Sequence, residues 1–357
     1  MSNGLEGIVA AETVLSHVDG EKGELILAGH PLEEAVARFD HVKVCSLLLR
    51  NFSDVPVTME SLGQARQVAF GFLEGRVEAA AGLPPIDGLR ALVAGMPDGA
   101  AMAPELRLVG ALPVFTAALW RVREGLDPVA PDPALDPATD LLRMLRGRLA
   151  EAGEAKALDT YLVTAVDHGF NASTFAARVV ASTHAGLVAS VTAALAALKG
   201  PLHGGAPGPV LDMFDAIERL GGDEAAAERW VDGELAAGRR LMGFGHRVYR
   251  VRDPRADVLK AAVASLGGER IAFAERIERV VLAKLKAYKP DRPLDTNTEY
   301  YTALLLERLG LPRALFTPVF AIGRVAGWTA HALEQVATGR LIRPQSRYIG
   351  PMPLRAA

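Results

Sequence analysis

Residues 155–200 read AKALDTYLVTAVDHGFNASTFAARVVASTHAGLVASVTAALAALKG. Over 155–168, Leu158, Tyr161, Leu162, Ala165 and Val166 recur on one face of a helix. Gly169 is placed to stop that helix. Asn171 then has the chemistry to cap a second helix through Thr174, Phe175 and Val179. A third runs from about Leu187 to Lys199 and ends at Gly200-Pro201. A fourth follows Pro318, with Val319, Ile322, Ala326, Ala330 and Leu333 at helical spacing. Strand signals are few. The best is near the N-terminus, where Gly7–Val18 and Glu24–Gly29 flank the turn Asp19-Gly20-Glu21-Lys22-Gly23. The predicted fold class is therefore mainly α, with a small N-terminal β-hairpin.

Three proline- or glycine-rich stretches divide the helical pattern: residues 126–139, 200–209 and 287–297. The last two bracket a helical segment long enough for a smaller inserted domain. Half of the 357 residues are apolar, which supplies a large core. Lys and Arg number 39 against 42 Asp and Glu, for a net charge of -3, so the chain is not a wholesale nucleic-acid binder. A neutral total still leaves room for local Arg clusters facing a small anion. The single cysteine, Cys45, excludes a disulfide scaffold, a cysteine zinc site and an iron–sulfur cluster within one chain. The most apolar run, Leu187 to Leu198, has 12 residues, and a membrane span needs about 20. With no basic and apolar leader at the N-terminus, the expected compartment is the cytoplasm and no membrane partner is expected.

Five segments carry reactive side chains. Gly200-Pro201-Leu202-His203-Gly204-Gly205 sets an imidazole among glycines, where a ligand can approach backbone and ring together. Its ordinary alternative is a helix–helix turn with an incidental histidine. Gly245-His246-Arg247-Val248-Tyr249-Arg250-Val251-Arg252-Asp253-Pro254-Arg255 packs one His and four Arg into ten residues. Arginine forks recognise carboxylates and phosphates bidentately, though a solvated basic face would look the same. Asn297-Thr298-Glu299 puts a carboxylate in the first turn of a helix, where it also simply suits the macrodipole. Arg324, Trp328, His331 and Gln335 form a polar stripe whose bland interpretation is the wet face of an amphipathic helix. Asp167-His168 lies at a helix C-terminus, where the dipole is expected to favour the charged imidazole.

Read jointly, these segments resemble the citrate synthase family. GPLHGGA, GFGHRVYRVRDPR and NTEYYTALL occur in order, 43 residues from His203 to His246 and 53 from His246 to Glu299. The resemblance runs from GLEGIVAAETVLSHVDGEKGEL through DHGFNASTFAARV to the RPQS tail, nearly the whole chain. It implies a two-domain helical homodimer, with residues 1–208 and 313–357 forming a large domain and 209–312 a small one. It implies condensation of acetyl-CoA with oxaloacetate and hydrolysis of citryl-CoA, in the tricarboxylic acid cycle, with no metal and no cofactor beyond the coenzyme A thioester. Among site residues, it implies that His203 donates to the thioester carbonyl, that His246 polarises the ketone and that Glu299 is the base. His168, Arg255 and Arg324 would hold oxaloacetate, Arg343 would reach the partner's site, and Arg250 and Arg292 would meet coenzyme A.

This division of labour suits the chemistry. A thioester methyl is a very weak acid, so a base must act while a donor stabilises charge arising on oxygen. Two carboxylates on the acceptor call for fixed arginines. One departure stands out: the family's usual N-x-D-F-Y-S-G is here Asn297-Thr298-Glu299-Tyr300-Tyr301-Thr302-Ala303, with a base one methylene longer. Three rivals remain open at this stage. They are 2-methylcitrate synthesis from propionyl-CoA, one methylene away in substrate; a weakly active or non-catalytic ligand-binding relative; and a zinc enzyme using His168, His203, His246 and Glu299, against which the interleaved arginines argue.

Overall fold

The computed structural model describes residues 4–5, 7–205, 207–291 and 294–352. Strands β1 (Ser16–Asp19), β2 (Glu24–Leu27) and β3 (His30–Pro31) open the chain. Then come α1 (Leu32–Arg38), α2 (His41–Leu49), α3 (Met59–Phe72), α4 (Val77–Ala81), α5 (Pro85–Ala94), α6 (Pro104–Arg123), α7 (Pro137–Arg146), α8 (Ala152–Ala165), α9 (Ala172–Ala181) and α10 (Leu187–Leu198). They are followed by α11 (Pro207–Arg219), α12 (Glu224–Ala236), α13 (Pro254–Ser265), α14 (Glu269–Tyr288), α15 (Thr298–Arg308) and α16 (Phe316–Thr338). Among the described residues no helix is long and apolar enough to cross a membrane.

The helices begin and end where the sequence chemistry dictates. Asn171 caps α9, its side-chain oxygen accepting from the backbone of Ser173 and Thr174. Gly169 takes a left-handed φ of 57° in the turn between α8 and α9. Helix α16 starts two residues before Pro318, because a proline in the first turn removes only a donor that has no intrahelical acceptor.

The N-terminal sheet differs from the expected hairpin. It has three antiparallel strands, Ser16 opposite Leu27, Asp19 opposite Glu24 and Leu27 opposite His30. Residues 7–15 are not strand. The hairpin partner extends only far enough to pair from Ser16 onward. Thr13 and Val14 bond instead to Glu334 on α16, at 3.2 and 2.9 Å.

Helix α16 is the centre of the large helical layer, packed against α6, α8, α9 and α10. The polar stripe on it is not a wet face: Arg324, Trp328, His331 and Gln335 are all buried. They are satisfied internally, as buried polar groups must be. Arg178 on α9 pairs with Glu334 at 2.6 Å and bonds Gln335 at 2.9 Å and His331 at 3.0 Å. His331 in turn faces Asp167 at 3.2 Å. Close approach of α16 to α8 needs the absence of side chains at two positions. A Cβ at Gly323 would lie 2.8 Å from the Ala165 methyl, and one at Gly327 would overlap the Val166 carbonyl. Residues 209–312 carry a second, aromatic cluster, in which Phe214 meets Tyr300 and Phe273 edge-on at 5.3 and 5.8 Å.

One buried carboxyl in this core titrates oddly. Asp159 on α8 is 8% exposed and accepts the His41 backbone N–H at 2.9 Å. Burial raises its pKa to about 6, with Lys156 pulling the other way. A folded-state pKa above the unfolded one means that ionisation destabilises the fold, so stability falls as pH rises from about 4 through 6. Asp159→Asn keeps the acceptor for His41 and removes the charge. At pH 7 it is expected to be more stable than the wild type by about 1–3 kcal/mol, and at pH 4 the gain should vanish. Denaturant midpoints at the two pH values check this; a loss of stability at pH 7 would contradict it.

Candidate active site

The two loops that carry His246 and Glu299 are sewn together by backbone bonds. Gly245 donates to the Asp295 carbonyl at 2.7 Å and Asn297 to that of Gly243 at 2.9 Å. The Asn297 amide group adds a bond to the Gly245 carbonyl at 2.8 Å while its oxygen caps α15 through the Glu299 N–H at 3.0 Å. Asp253 caps α13, accepting from Arg255 N at 3.1 Å, and also accepts from Thr298 N at the start of α15, at 3.2 Å. The β1–β2 turn touches the same loop: Arg250 N donates to the Gly20 carbonyl at 2.8 Å, and a Cβ at Gly20 would overlap the Val248 carbonyl.

Three imidazoles lie in this region, and for His246 the partners fix the proton. His246 Nδ1 accepts the backbone N–H of Val248 and Tyr249, at 3.0 and 3.1 Å. Its proton must therefore reside on Nε2, which points toward the Arg255 guanidinium, 3.4 Å away. Both of those groups are donors, and they converge on space that an acceptor oxygen would fill. Burial, reinforced by Arg255, lowers the His246 pKa to about 4. His203 meets Ser173 Oγ at 2.8 Å, and burial followed by the Arg324 charge brings it to about 4 as well. Ser173 Oγ already accepts from Trp328 Nε1 at 3.1 Å. His168 Nε2 meets the Tyr249 hydroxyl at 3.1 Å, and its ring lies edge-on to His246 at 5.4 Å. The expected charged state of His168 is corrected here: burial first, then Arg255, push its pKa well below the usual histidine range. The helix dipole is outweighed by desolvation and by two guanidinium groups.

Those guanidinium groups differ in their pairing. Arg255 is buried and gripped by Asp253, Nε to Oδ1 at 3.0 Å and Nη2 to Oδ2 at 2.7 Å. Arg324 is buried against the Phe320 ring, 4.9 Å from its centroid, and gives Nε to the Ala165 carbonyl. Among the described residues it has no ion-pair partner. Burial depresses its pKa to about 10, so it stays charged at neutral pH and lacks a counter-anion. Glu299 shares a cavity with Arg255, Tyr161, Thr164, Ala165, Thr298, Thr302 and Phe320. Its carboxylate makes no hydrogen bond among the described residues. Burial raises its pKa to about 7 against the pull of Arg255, with Asp253 adding to the rise.

The structure thus brings together His168, His203, His246, Arg255, Glu299 and Arg324. Arg250 and Arg343 are exposed, and Arg292 lies outside the described residues. Among the described residues no group of three His, Cys, Asp or Glu side chains is placed to hold a metal ion. Sequence reasoning assigned nothing to Tyr249, Ser173 or Asp253. Tyr249 and Asp253 stand inside the histidine–arginine motif itself, where their spacing from His246 and Arg255 was the available signal.

Comparison with known proteins gives consistent matches. The model for the citrate synthase C-terminal domain family matches residues 4–345. A citrate synthase of Haloferax volcanii is 35% identical, covering 99% of this chain and 97% of its own. A 2-methylcitrate synthase of Mycobacterium tuberculosis is 34% identical, covering 98% and 91%. Among solved structures, the Thermotoga maritima citrate synthase superposes with a TM-score of 0.86 at 31% identity, covering 100% of this chain and 98% of that one. The Thermoplasma acidophilum citrate synthase, in ternary complex with carboxymethyl coenzyme A and oxaloacetate, gives 0.88 at 29% identity, covering 100% and 98%.

The tautomer assignment for His246 is directly measurable. In protein labelled with nitrogen-15 histidine, His246 is expected to remain neutral with the proton on Nε2 from pH 6 to 8, titrating only near pH 4. A midpoint above 6, or a proton on Nδ1, would remove it as a neutral donor.

Proposed function

This chain belongs to the citrate synthase family, and we propose that it condenses acetyl-CoA with oxaloacetate and hydrolyses the citryl-CoA formed, releasing citrate and coenzyme A. The observation that carries this reading is a carboxyl without a hydrogen-bonding partner, poised near pH 7 in one cavity with the buried Arg255 guanidinium and pulled down also by the charge of buried Arg324. Glu299 takes a proton from the thioester methyl, and His203 donates to the thioester carbonyl oxygen as the enol forms. The enol carbon attacks the ketone carbon of oxaloacetate. His246 Nε2–H stabilises the oxygen that becomes the hydroxyl, which takes up one proton from water as Glu299 releases to solvent the one it took, and a second water then cleaves the thioester. Neutral donors suit both oxygens, because an imidazole held near pH 4 gives a hydrogen bond without surrendering its proton. Arg255, Arg324 and His168 take the carboxylates of oxaloacetate, while Arg250 and Arg292 meet the phosphates of coenzyme A. No metal or redox cofactor enters the proposal.

Residues 209–312 act as a small domain that closes on residues 1–208 and 313–357. The hydrogen bond between His168 and Tyr249 spans that division and supports a closing role. The enzyme is proposed to work as a cytoplasmic homodimer in the tricarboxylic acid cycle. An exposed apolar tail supports the dimer: Leu341, Tyr348 and Ile349 stand open beside Arg343, which would enter the partner's site. Propionyl-CoA, leading to 2-methylcitrate, is the second reading. It is favoured by a 2-methylcitrate synthase relative almost as similar as the citrate synthases.

Thiol release with oxaloacetate and acetyl-CoA, and separately propionyl-CoA, tests the reading and ranks the substrates. Because the base must be ionised, the rate should rise with pH through about 7 and then level off. Glu299→Gln should abolish condensation while oxaloacetate affinity changes little. Glu299→Asp should also be slower, by up to about 100-fold, since a 1 Å displacement of the base is that costly. Full activity in Glu299→Gln would remove Glu299 from the mechanism.

The dimer has its own check. Arg343→Ala should weaken oxaloacetate use in a folded dimer. Mixing it with inactive His246→Ala should restore activity in exchanged heterodimers, where one site keeps both residues. Absence of restoration after proven subunit exchange would place Arg343 outside the partner's site.

A further inference from the structure

Tyr161 on α8 is 3% exposed and lines the cavity that holds Glu299. Its hydroxyl makes no hydrogen bond among the described residues and is open to the space of that cavity rather than sealed in the core. Thr164, one turn further along the same wall, already gives its proton to the Thr160 carbonyl at 2.7 Å. The phenol has no such outlet. Burial, and next the nearby Glu299 charge, push its pKa well above the ordinary tyrosine range, so it keeps its proton throughout the working pH range. A protonated donor and a carboxylate, each without a partner, therefore share one enclosed space.

We propose that Tyr161 is a positioning residue for Glu299, its phenol donating a hydrogen bond to the carboxylate when the cavity closes around substrate. Catalytic hydrogen bonds are often long in the ligand-free state and tighten in the substrate complex. The bond would hold one carboxylate oxygen still and leave the other free for the acyl methyl proton. It also answers the extra methylene of Glu299, because a longer side chain has one more rotatable bond to restrain. The charged groups facing Glu299 are Arg255 and Asp253 from α13 and its cap and Arg324 from α16. Tyr161 adds a neutral donor to that set, from α8.

The inference rests on Glu299 as the base, which wild-type thiol release and Glu299→Gln test independently. Tyr161→Phe keeps the ring and removes the hydroxyl. Its kcat is expected to fall about 10-fold with KM for oxaloacetate held within about two-fold, the range of a lost hydrogen bond to a charged group. The acid limb of kcat should move up by about half to one pH unit, because a carboxylate stripped of a donor favours its neutral form. In a Glu299→Gln background the substitution should cost nothing further. Uniform incorporation of 3-fluorotyrosine, a stronger donor of nearly the same shape, should move the limb down, and it keeps the test open if Tyr161→Phe does not fold. An unmoved limb with unchanged kcat in an active enzyme would overturn the inference. So would a loss confined to oxaloacetate KM, or a limb that follows Thr302→Val and ignores Tyr161→Phe.

Discussion

The Asp253 carboxylate sets the geometry on which the rest of the site depends. It caps α13, grips Arg255 through two bonds and accepts the Thr298 N–H that begins α15. One buried anion thereby fixes the distance between the loop of His246, the Arg255 clamp and the turn that presents Glu299. Burial works to raise its pKa, but Arg255 and the accepted hydrogen bonds keep it below the usual carboxylate range, so it stays ionised. Removing it would leave Arg255 buried and unpaired, a far larger loss than that of a surface pair.

The other wall of the cleft is set by packing. Gly323 and Gly327 let α16 lie against the end of α8, which puts Arg324 within reach of the Ala165 carbonyl and brings the 166–169 turn under the site. The Arg178–Glu334 pair and the His331–Asp167 contact then fill the interior behind that turn with paired polar groups, leaving Asp167 Oδ1 buried without a partner. Thr13 and Val14 bond to the same Glu334, so the N-terminal segment is fastened to the network that supports His168. The two walls meet where His168 bonds Tyr249.

How much of this was legible in the sequence follows from the range of each signal. Periodicity located α8, α9, α10 and α16, and the Asn171 cap was readable because capping chemistry is local. Periodicity does not distinguish a polar stripe facing water from one facing buried partners, so the wet-face alternative for Arg324, Trp328, His331 and Gln335 stayed open until the partners Ala165, Ser173 and Arg178 were in place. The charge state of His168 failed for a related reason. The helix dipole is visible in the sequence, whereas desolvation and Arg255, 87 positions away, are not. The pairing of Phe244 with Thr296 is invisible at the level of local pattern, since a single bridge between distant loops leaves no alternation to detect. Ordered motifs carried the gathering of His203, His246 and Glu299; the backbone donors that fix the His246 proton belong to the folded loop and leave no mark in the sequence.

Charge links the two walls. Burial, with Asp253, pushes the Glu299 pKa up while Arg255 and Arg324 pull it down, and the balance falls near 7. A bound dicarboxylate neutralises those guanidinium groups, so their pull on Glu299 weakens and the carboxylate becomes a stronger base. Burial and not the arginines is the first cause of the low pKa values of the three imidazoles, so their neutrality does not depend chiefly on those charges. Acceptor binding therefore strengthens the base without disarming the donors. On the proposed chemistry, a bound dicarboxylate offsets above all the charge of Arg324, which unlike Arg255 has no ion-pair partner among the described residues, and leaves Glu299 facing the acyl methyl with less cationic pull.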